Sequence, residues 1–229
     1  MVLAKRLAAM VEYIPSGSIV ADIGTDHAYL PIFLVETGKC PQVIATELNL
    51  GPYRSAGRMV KEFKLSDKID LRLGDGLSAL KPGEVDVLVL AGMGGNTIRE
   101  ILSTAPAVLD TVKKLVLQPM ADPGGLRSWL AAGGWKITDE KLVEDDGRIY
   151  IVIVAEPGRE DTKDLFLLEL GPRLLEKKDP LLKPYLNKIA NRIERVLDGL
   201  TIAKSDAVLK KKIELKEKLA RIREMVDCL

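Results

Sequence analysis

The chain holds only two cysteines, Cys40 and Cys228, and one histidine, His27, in 229 residues. So few thiols give no disulfide framework, and with a lone imidazole they have no metal-ligand spacing, so no metal is expected. Nowhere does the sequence reach the roughly 18 consecutive apolar residues that span a bilayer. The opening MVLAKRLAAMVEYIP resembles a signal peptide only superficially. Lys5, Arg6 and Glu12 interrupt its apolar residues at helical spacing, which predicts an amphipathic first helix. A reducing, cytoplasmic setting follows. Excess charge is missing too: 34 Lys and Arg against 33 Asp and Glu leave +1, which does not announce a nucleic-acid binder. The balance hides an asymmetry. Residues 160–229 carry 16 basic and 13 acidic side chains, against 18 and 20 in residues 1–159, so a local basic patch in the tail is permitted.

What is present is alternation. Short β-branched apolar runs at 18–23, 42–47, 69–73, 85–91 and 114–118 predict strands, and helical patterns at 28–37, 52–64, 97–109 and 125–132 fill the gaps. Such alternation predicts a mostly parallel sheet covered on both faces. Two last strands, 135–142 and 149–155, are separated by the turn-like Glu144-Asp145-Asp146-Gly147. That is too short for a parallel crossover, so they must pair antiparallel. At Glu156-Pro157-Gly158-Arg159-Glu160-Asp161 both periodicities break, which predicts a linker between a first domain, 1–157, and a second, 160–229. In the second, Leu182, Leu186, Ile189, Ile193, Val196 and Leu200 advance by threes and fours, and Leu215, Leu219, Ile222 and Val226 repeat the rhythm. Two antiparallel helices packed along a heptad-like seam are expected.

In an open α/β sheet, ligands bind beyond the carboxyl ends of the strands. Four segments fall there: Asp22-Ile23-Gly24-Thr25-Asp26-His27; Glu47 with Leu48; Gly74-Asp75-Gly76; and Ala91-Gly92-Met93-Gly94-Gly95. Gly24 lets the backbone approach a ligand closely. An acidic residue ending the second strand, Glu47, can accept both hydroxyls of a ribose, and Asp75 can accept a hydrogen bond from an adenine amino group. Gly92 to Gly95 are left as flexible backbone beside the reacting groups. The first segment lacks G-x-G-x-x-G, which argues against a pyrophosphate-binding dinucleotide site.

The string Asp22-Ile23-Gly24-Thr25-Asp26-His27-Ala28-Tyr29-Leu30-Pro31 resembles the signature of bacterial tRNA (adenine-22-N1)-methyltransferases. Ala91-Gly92-Met93-Gly94-Gly95 and Leu117-Gln118-Pro119 resemble that family's second and third motifs, in the right order. The resemblance covers residues 1 to about 157 closely, and the helical-hairpin tail matches the family's architecture. One departure stands out: Met120 follows the Gln-Pro pair where members commonly place Asn.

The resemblance implies a Rossmann-like class I methyltransferase sheet, with a C-terminal helical hairpin as tRNA-binding domain. It implies S-adenosylmethionine as cofactor, a ligand without phosphate, and transfer of its methyl group to N1 of one adenine in the tRNA D arm. The cofactor-binding residues would be Asp22, Gly24, Glu47, Leu48, Gly74, Asp75, Gly76, Gly92 and Met93. Asp26 would stabilise the cation that develops on the purine, with His27 and Tyr29 bonding to or stacking on the base. Candidate phosphate ligands are Arg54 and Arg58 on the second helical pattern, and Lys210, Lys211 and Lys212 in the tail. A monomer or weak homodimer is expected. Two alternatives stay open: methylation of another RNA site, or of a small molecule.

Overall fold

The computed structural model describes residues 1–200 and 206–229. They form two compact units, Met1–Arg173 and Leu174–Leu229.

The first unit is built on a seven-stranded sheet of order β3-β2-β1-β4-β5-β7-β6. Its strands are β1 (Val20–Ile23), β2 (Val43–Glu47), β3 (Ile69–Leu73), β4 (Val87–Gly94), β5 (Lys114–Ala121), β6 (Trp135–Asp145) and β7 (Arg148–Pro157). The first five pair parallel and the last two antiparallel. β1 lies between β2 and β4, so the chain reverses its direction of travel across the sheet at β1. That reversal opens a crevice at the carboxyl ends of β1 and β4.

Helices cover both faces, which is why the central strands are apolar on both sides. On one face α1 (Lys5–Val11), α2 (Tyr29–Glu36) and α3 (Leu50–Glu62) pack against Val20, Val43, Val87, Val89 and Val116. The alternate residues Ala21, Leu88, Leu90, Leu115 and Leu117 are equally buried beneath α4 (Gly95–Ser103) and α6 (Pro123–Ala132). The helical pattern at 97–109 is two helices, because Pro106 ends the first and opens α5 (Pro106–Leu109). A short 3-10 turn, Gly76–Ala79, follows β3. The β6–β7 hairpin turns on Asp146 and Gly147, both at positive φ (49° and 69°), the backbone an Asp-Gly two-residue turn requires.

Residues 160–173, expected to lie in the second domain, pack in the first unit. Glu160 is buried; its carboxylate accepts the backbone N–H groups of Ile137 and Thr162, each at 2.9 Å, and pairs with Arg173. Two short helices follow, α7 (Leu165–Leu170) and α8 (Pro172–Lys177), ahead of the pair expected from the heptad-like spacing. A fully buried ion pair ties α7 and the start of α8 to α6 and β6: Arg127 meets Glu140 at 2.6 Å. Arg127 also donates to the Leu168 and Glu169 carbonyls, while the other Glu140 oxygen accepts from the Arg173 backbone N–H.

The second unit consists mainly of α9 (Leu182–Gly199) and α10 (Asp206–Asp227), which pack together and are joined by the Arg223–Glu194 ion pair. The turn expected between them lies outside the described residues. Leu182, Leu186 and Ile193 of the expected seam are buried, as is Ile222. Val196 is 45% exposed, so the seam stops short of the end of α9.

Candidate active site at the carboxyl edge of the sheet

The crevice holds a cavity of about 510 Å³, within the range of small-molecule sites. All twelve residues expected to bind cofactor or base line it: Asp22, Gly24, Asp26, His27, Tyr29, Glu47, Leu48, Gly74, Asp75, Gly76, Gly92 and Met93. They come from the ends of β1, β2, β3 and β4. Arg54 and Arg58 lie outside it, on later turns of α3, and Lys210, Lys211 and Lys212 belong to α10 of the second unit.

Two carboxylates form the floor. Asp22, within β1, is 6% exposed, and Glu47, ending β2, is 7% exposed. Burial pushes the Asp22 carboxyl up to about 6; the Thr25 side chain opposes the rise and the nearby Glu47 charge adds to it. Neither carboxylate has a cationic partner among the described residues. The Thr46 hydroxyl, also buried at this edge, has no hydrogen-bond partner among the described residues. Such a floor asks for a ligand that brings hydroxyls and positive charge, and it repels phosphate.

The loop after β1 is held in an unusual path. Gly24, Asp26 and Ala28 all have positive φ (74°, 53° and 58°), a region non-glycine residues rarely enter. The N–H groups of Gly24 and Thr25 donate to the Thr46 carbonyl at 2.9 and 3.0 Å. Glu47 fastens the rest: Oε2 accepts from the Asp26 N–H at 3.3 Å and Oε1 from the Asn49 N–H at 2.9 Å. One carboxylate thus joins the β1 loop to the start of α3. A Cβ at Gly24 would meet only the flexible tip of Met93, which can move aside, so it is the positive φ that asks for glycine here.

The rim is polar and aromatic. Asp26 and His27 are exposed, with Nε2 of His27 3.7 Å from Oδ1 of Asp26. The rings of His27 and Tyr29 are 5.5 Å apart and tilted by 31°. Tyr29 begins α2 and stays 45% exposed, so it is not part of the core.

Gly92 to Gly95 are not the flexible loop expected. β4 runs on to Gly94, with two register shifts against β5, and α4 begins at Gly95. Pro119 has no N–H for a regular ladder at that point, and the irregularity re-aims Gly92 and Met93 into the cavity. Gln118, fully buried, spans the gap: its Oε1 accepts from the Gly92 N–H and from Nη1 of Arg6, each at 3.2 Å. Its amide nitrogen faces the sulfur of Met120 at 3.4 Å, so the departure at position 120 contacts Gln118.

Sequence reading missed Arg6 and Leu7 of α1, and Thr97 and Ile101 of α4, all of which line the cavity. Arg6 had one signal, a cation breaking the apolar spacing of the first helix, but nothing local says it reaches β5. Among the described residues no cluster of three or more His, Cys, Asp or Glu side chains is placed to hold a metal ion, and no helix is long and apolar enough to cross a membrane.

Comparison with known proteins agrees with this geometry. Residues 20–224 match the model of the tRNA (adenine(22)-N(1))-methyltransferase family. A curated Bacillus subtilis (strain 168) protein named tRNA (adenine(22)-N(1))-methyltransferase is 36% identical over 98% of this chain and 97% of its own length. The crystal structure of the B. subtilis m1A22 tRNA methyltransferase superposes with a TM-score of 0.92 at 34% identity, covering 98% of this chain and 99% of that one. A Mycoplasma relative, M. capricolum TrmK, solved with the cofactor product S-adenosyl-homocysteine, gives a TM-score of 0.84 at 26% identity, with 99% of each chain covered.

Proposed function

The chain belongs to the tRNA (adenine(22)-N(1))-methyltransferase family, and from that premise we infer that it transfers a methyl group from S-adenosylmethionine to N1 of adenine 22 in tRNA. The observation that carries this is one cavity with two faces: a floor of buried, cation-free carboxylates, Asp22 and Glu47, and an exposed rim of Asp26, His27 and Tyr29. The floor suits a cofactor with an ammonium group and a ribose; the rim suits a nucleobase.

When bound, S-adenosylmethionine would supply an electrophilic methyl group on a sulfonium: the bond from neutral adenine N1 to the methyl would form as the S–CH3 bond breaks, a neutral thioether would leave, and the positive charge would pass to the purine. No proton need leave N1 before attack, so the protein's work is positioning and electrostatic stabilisation. Asp26 offers its carboxylate to the purine cation. His27 and Tyr29 hold the base by stacking or hydrogen bonding. Glu47 takes the ribose hydroxyls and Asp75 the adenine amino group of the cofactor. Asp22 draws its ammonium group, and Gly24, Leu48, Gly74, Gly76, Gly92 and Met93 complete the surround.

N1 lies on the Watson–Crick edge, so the target base must leave its stack, at a cost of a few kcal/mol. Phosphate contacts offset that cost and make binding salt-dependent. Arg54 and Arg58 on α3, and Lys210, Lys211 and Lys212 on α10, are the cations assigned to them, which makes the second unit an RNA-binding one. The protein acts in the cytoplasm, where its substrate is, as a monomer or weak homodimer and without a metal.

Incubating it with an unmodified tRNA transcript and labelled cofactor, then locating the modified nucleotide by mass spectrometry, tests this. One N1-methyladenosine at position 22 is expected. Incorporation elsewhere, or none, ends the proposal.

A further inference from the structure

A second cavity, of about 520 Å³, lies between α3 and β3 and shares no residue with the first. Its floor is apolar, made by Ile69 and Leu71 of β3 and Val60 of α3. Tyr53, Arg54, Arg58 and Lys61 line the rest. The three cations fall at intervals of four and three, so one face of α3 carries them all. The first two are about 6 Å apart along the axis and the second and third about 4.5 Å, comparable to the spacing of neighbouring phosphates on one strand.

None of the three meets a carboxylate among the described residues; Arg58 reaches only the Ser55 hydroxyl, at 3.1 Å. On the same strand Arg72 is saturated, bonded to both Asp70 and Glu84, and Lys113, Lys114, Lys136 and Lys141 each have an acidic partner. The cations over this groove are therefore uncompensated, and no carboxylate lines it. β3 is also the outermost strand, so among the described residues no further strand covers its free edge.

We propose that this groove is a subsite for an unpaired stretch of the tRNA away from the target adenine. A nucleobase lies against Tyr53 and the apolar floor, and the phosphates beside it meet Arg54, Arg58 and Lys61. Aromatic surface beside uncompensated cations is how single strands are held without sequence reading. The helix that carries the subsite starts at Leu50, directly after Glu47, Leu48 and Asn49 of the first cavity. Strand capture in the groove is thereby registered against the reacting centre. The proposal rests on tRNA being the substrate.

The test titrates tRNA against the full chain by fluorescence anisotropy over a series of salt concentrations, for the wild type, Arg54→Glu/Arg58→Glu/Lys61→Glu and Tyr53→Ala. The triple variant should bind at least about tenfold more weakly, and its plot of log affinity against log salt should be shallower by about two, from three single-strand phosphate contacts of roughly 0.7 each. Tyr53→Ala should weaken binding about tenfold with an unchanged slope, as loss of stacking requires. Cofactor affinity by calorimetry should stay at the wild-type value in both, which separates lost contacts from lost fold. If the triple variant unfolds, Arg58→Gln/Lys61→Gln carries the slope test, with an expected change of about 1.4 from two contacts. Folded variants with wild-type tRNA affinity and slope overturn the proposal. So does loss of self-association at unchanged tRNA affinity, which makes the groove a seam between copies, and so does a groove that binds an acidic peptide in preference to tRNA. Methylation by the wild type is measured in the same samples. Its failure removes the premise, whereas wild-type methylation with indifferent variants removes the groove alone.

Discussion

Arg6 donates from Nη1 to Oε1 of Gln118 at 3.2 Å, joining the first helix to the fifth strand across 112 residues of sequence. The same oxygen takes the Gly92 N–H, so one buried amide holds α1, β4 and β5 at the mouth of the cavity. Arg6 is steadied on its other side by the Tyr150 ring, 5.9 Å from the guanidinium carbon. Gln118→Leu should remove the acceptor of the Gly92 N–H and of Arg6; because Gly92 is exposed to water, the loss should be about 0.5–1.5 kcal/mol in urea denaturation, the net worth of a hydrogen bond. A variant as stable as the wild type would show that the N–H finds another acceptor.

Asp26 sits at φ 53°, a conformation asparagine tolerates almost as well as aspartate. Asp26→Asn therefore removes charge without disturbing the loop. Turnover should fall on the order of a hundredfold, in the range for deleting one electrostatic stabiliser, with cofactor affinity nearly unchanged. Equal losses in turnover and cofactor affinity would move Asp26 out of the base pocket.

Asp22 gives a pH dependence whose sign can be worked out. Its folded-state pKa, about 6, lies above the ordinary 3.8. The folded form therefore holds a proton that the unfolded form has released between those values. This stabilisation is complete below about pH 4 and is lost as the pH rises through 6. A cationic cofactor prefers the ionised carboxylate, so affinity for S-adenosylmethionine should fall below about pH 6, by up to tenfold per pH unit. Asp22→Asn should flatten the profile. Calorimetric titrations between pH 5 and 8 decide the matter, and a pH-independent wild type would take Asp22 away from the ammonium group.

Arg127 and Glu140 are both fully buried and 2.6 Å apart. Arg127→Met alone strands a carboxylate in the core and should cost about 3–5 kcal/mol, whereas Arg127→Met with Glu140→Leu should recover most of that loss. Denaturant midpoints of the three proteins provide the comparison. If the double variant is no better than the single, the carbonyls of Leu168 and Glu169, and not the ion pair, depend on Arg127.

Much of this was legible in local pattern. Strands such as 43–47 and 87–90 announce themselves by β-branched runs, the Asp146-Gly147 turn by its residue pair, and the cofactor edge by polar residues recurring at strand ends. What stayed hidden depends on partners far away in sequence. Composition reads 156–161 as solvent-exposed linker, but Glu160 is buried because the Ile137 N–H and the Arg173 guanidinium satisfy it. Gln118 reads as one residue of a motif, and only tertiary packing shows it as the clasp of three elements. In the tail, spacing alone extends the seam to Val196, but where a helix face is covered depends on where its neighbour lies.

The carbonyls of Leu168 and Glu169 and the N–H of Arg173 complete the hydrogen bonding of the Arg127–Glu140 pair. A shortened chain meant to isolate the methyl-transfer half must therefore keep everything through residue 173. Truncation at 157, where composition invites the cut, would take those carbonyls and the Arg173 N–H away from two ionised groups in the protein interior. Insoluble protein from such a truncation would report a severed interior, and would carry no information about whether the tail is needed for chemistry.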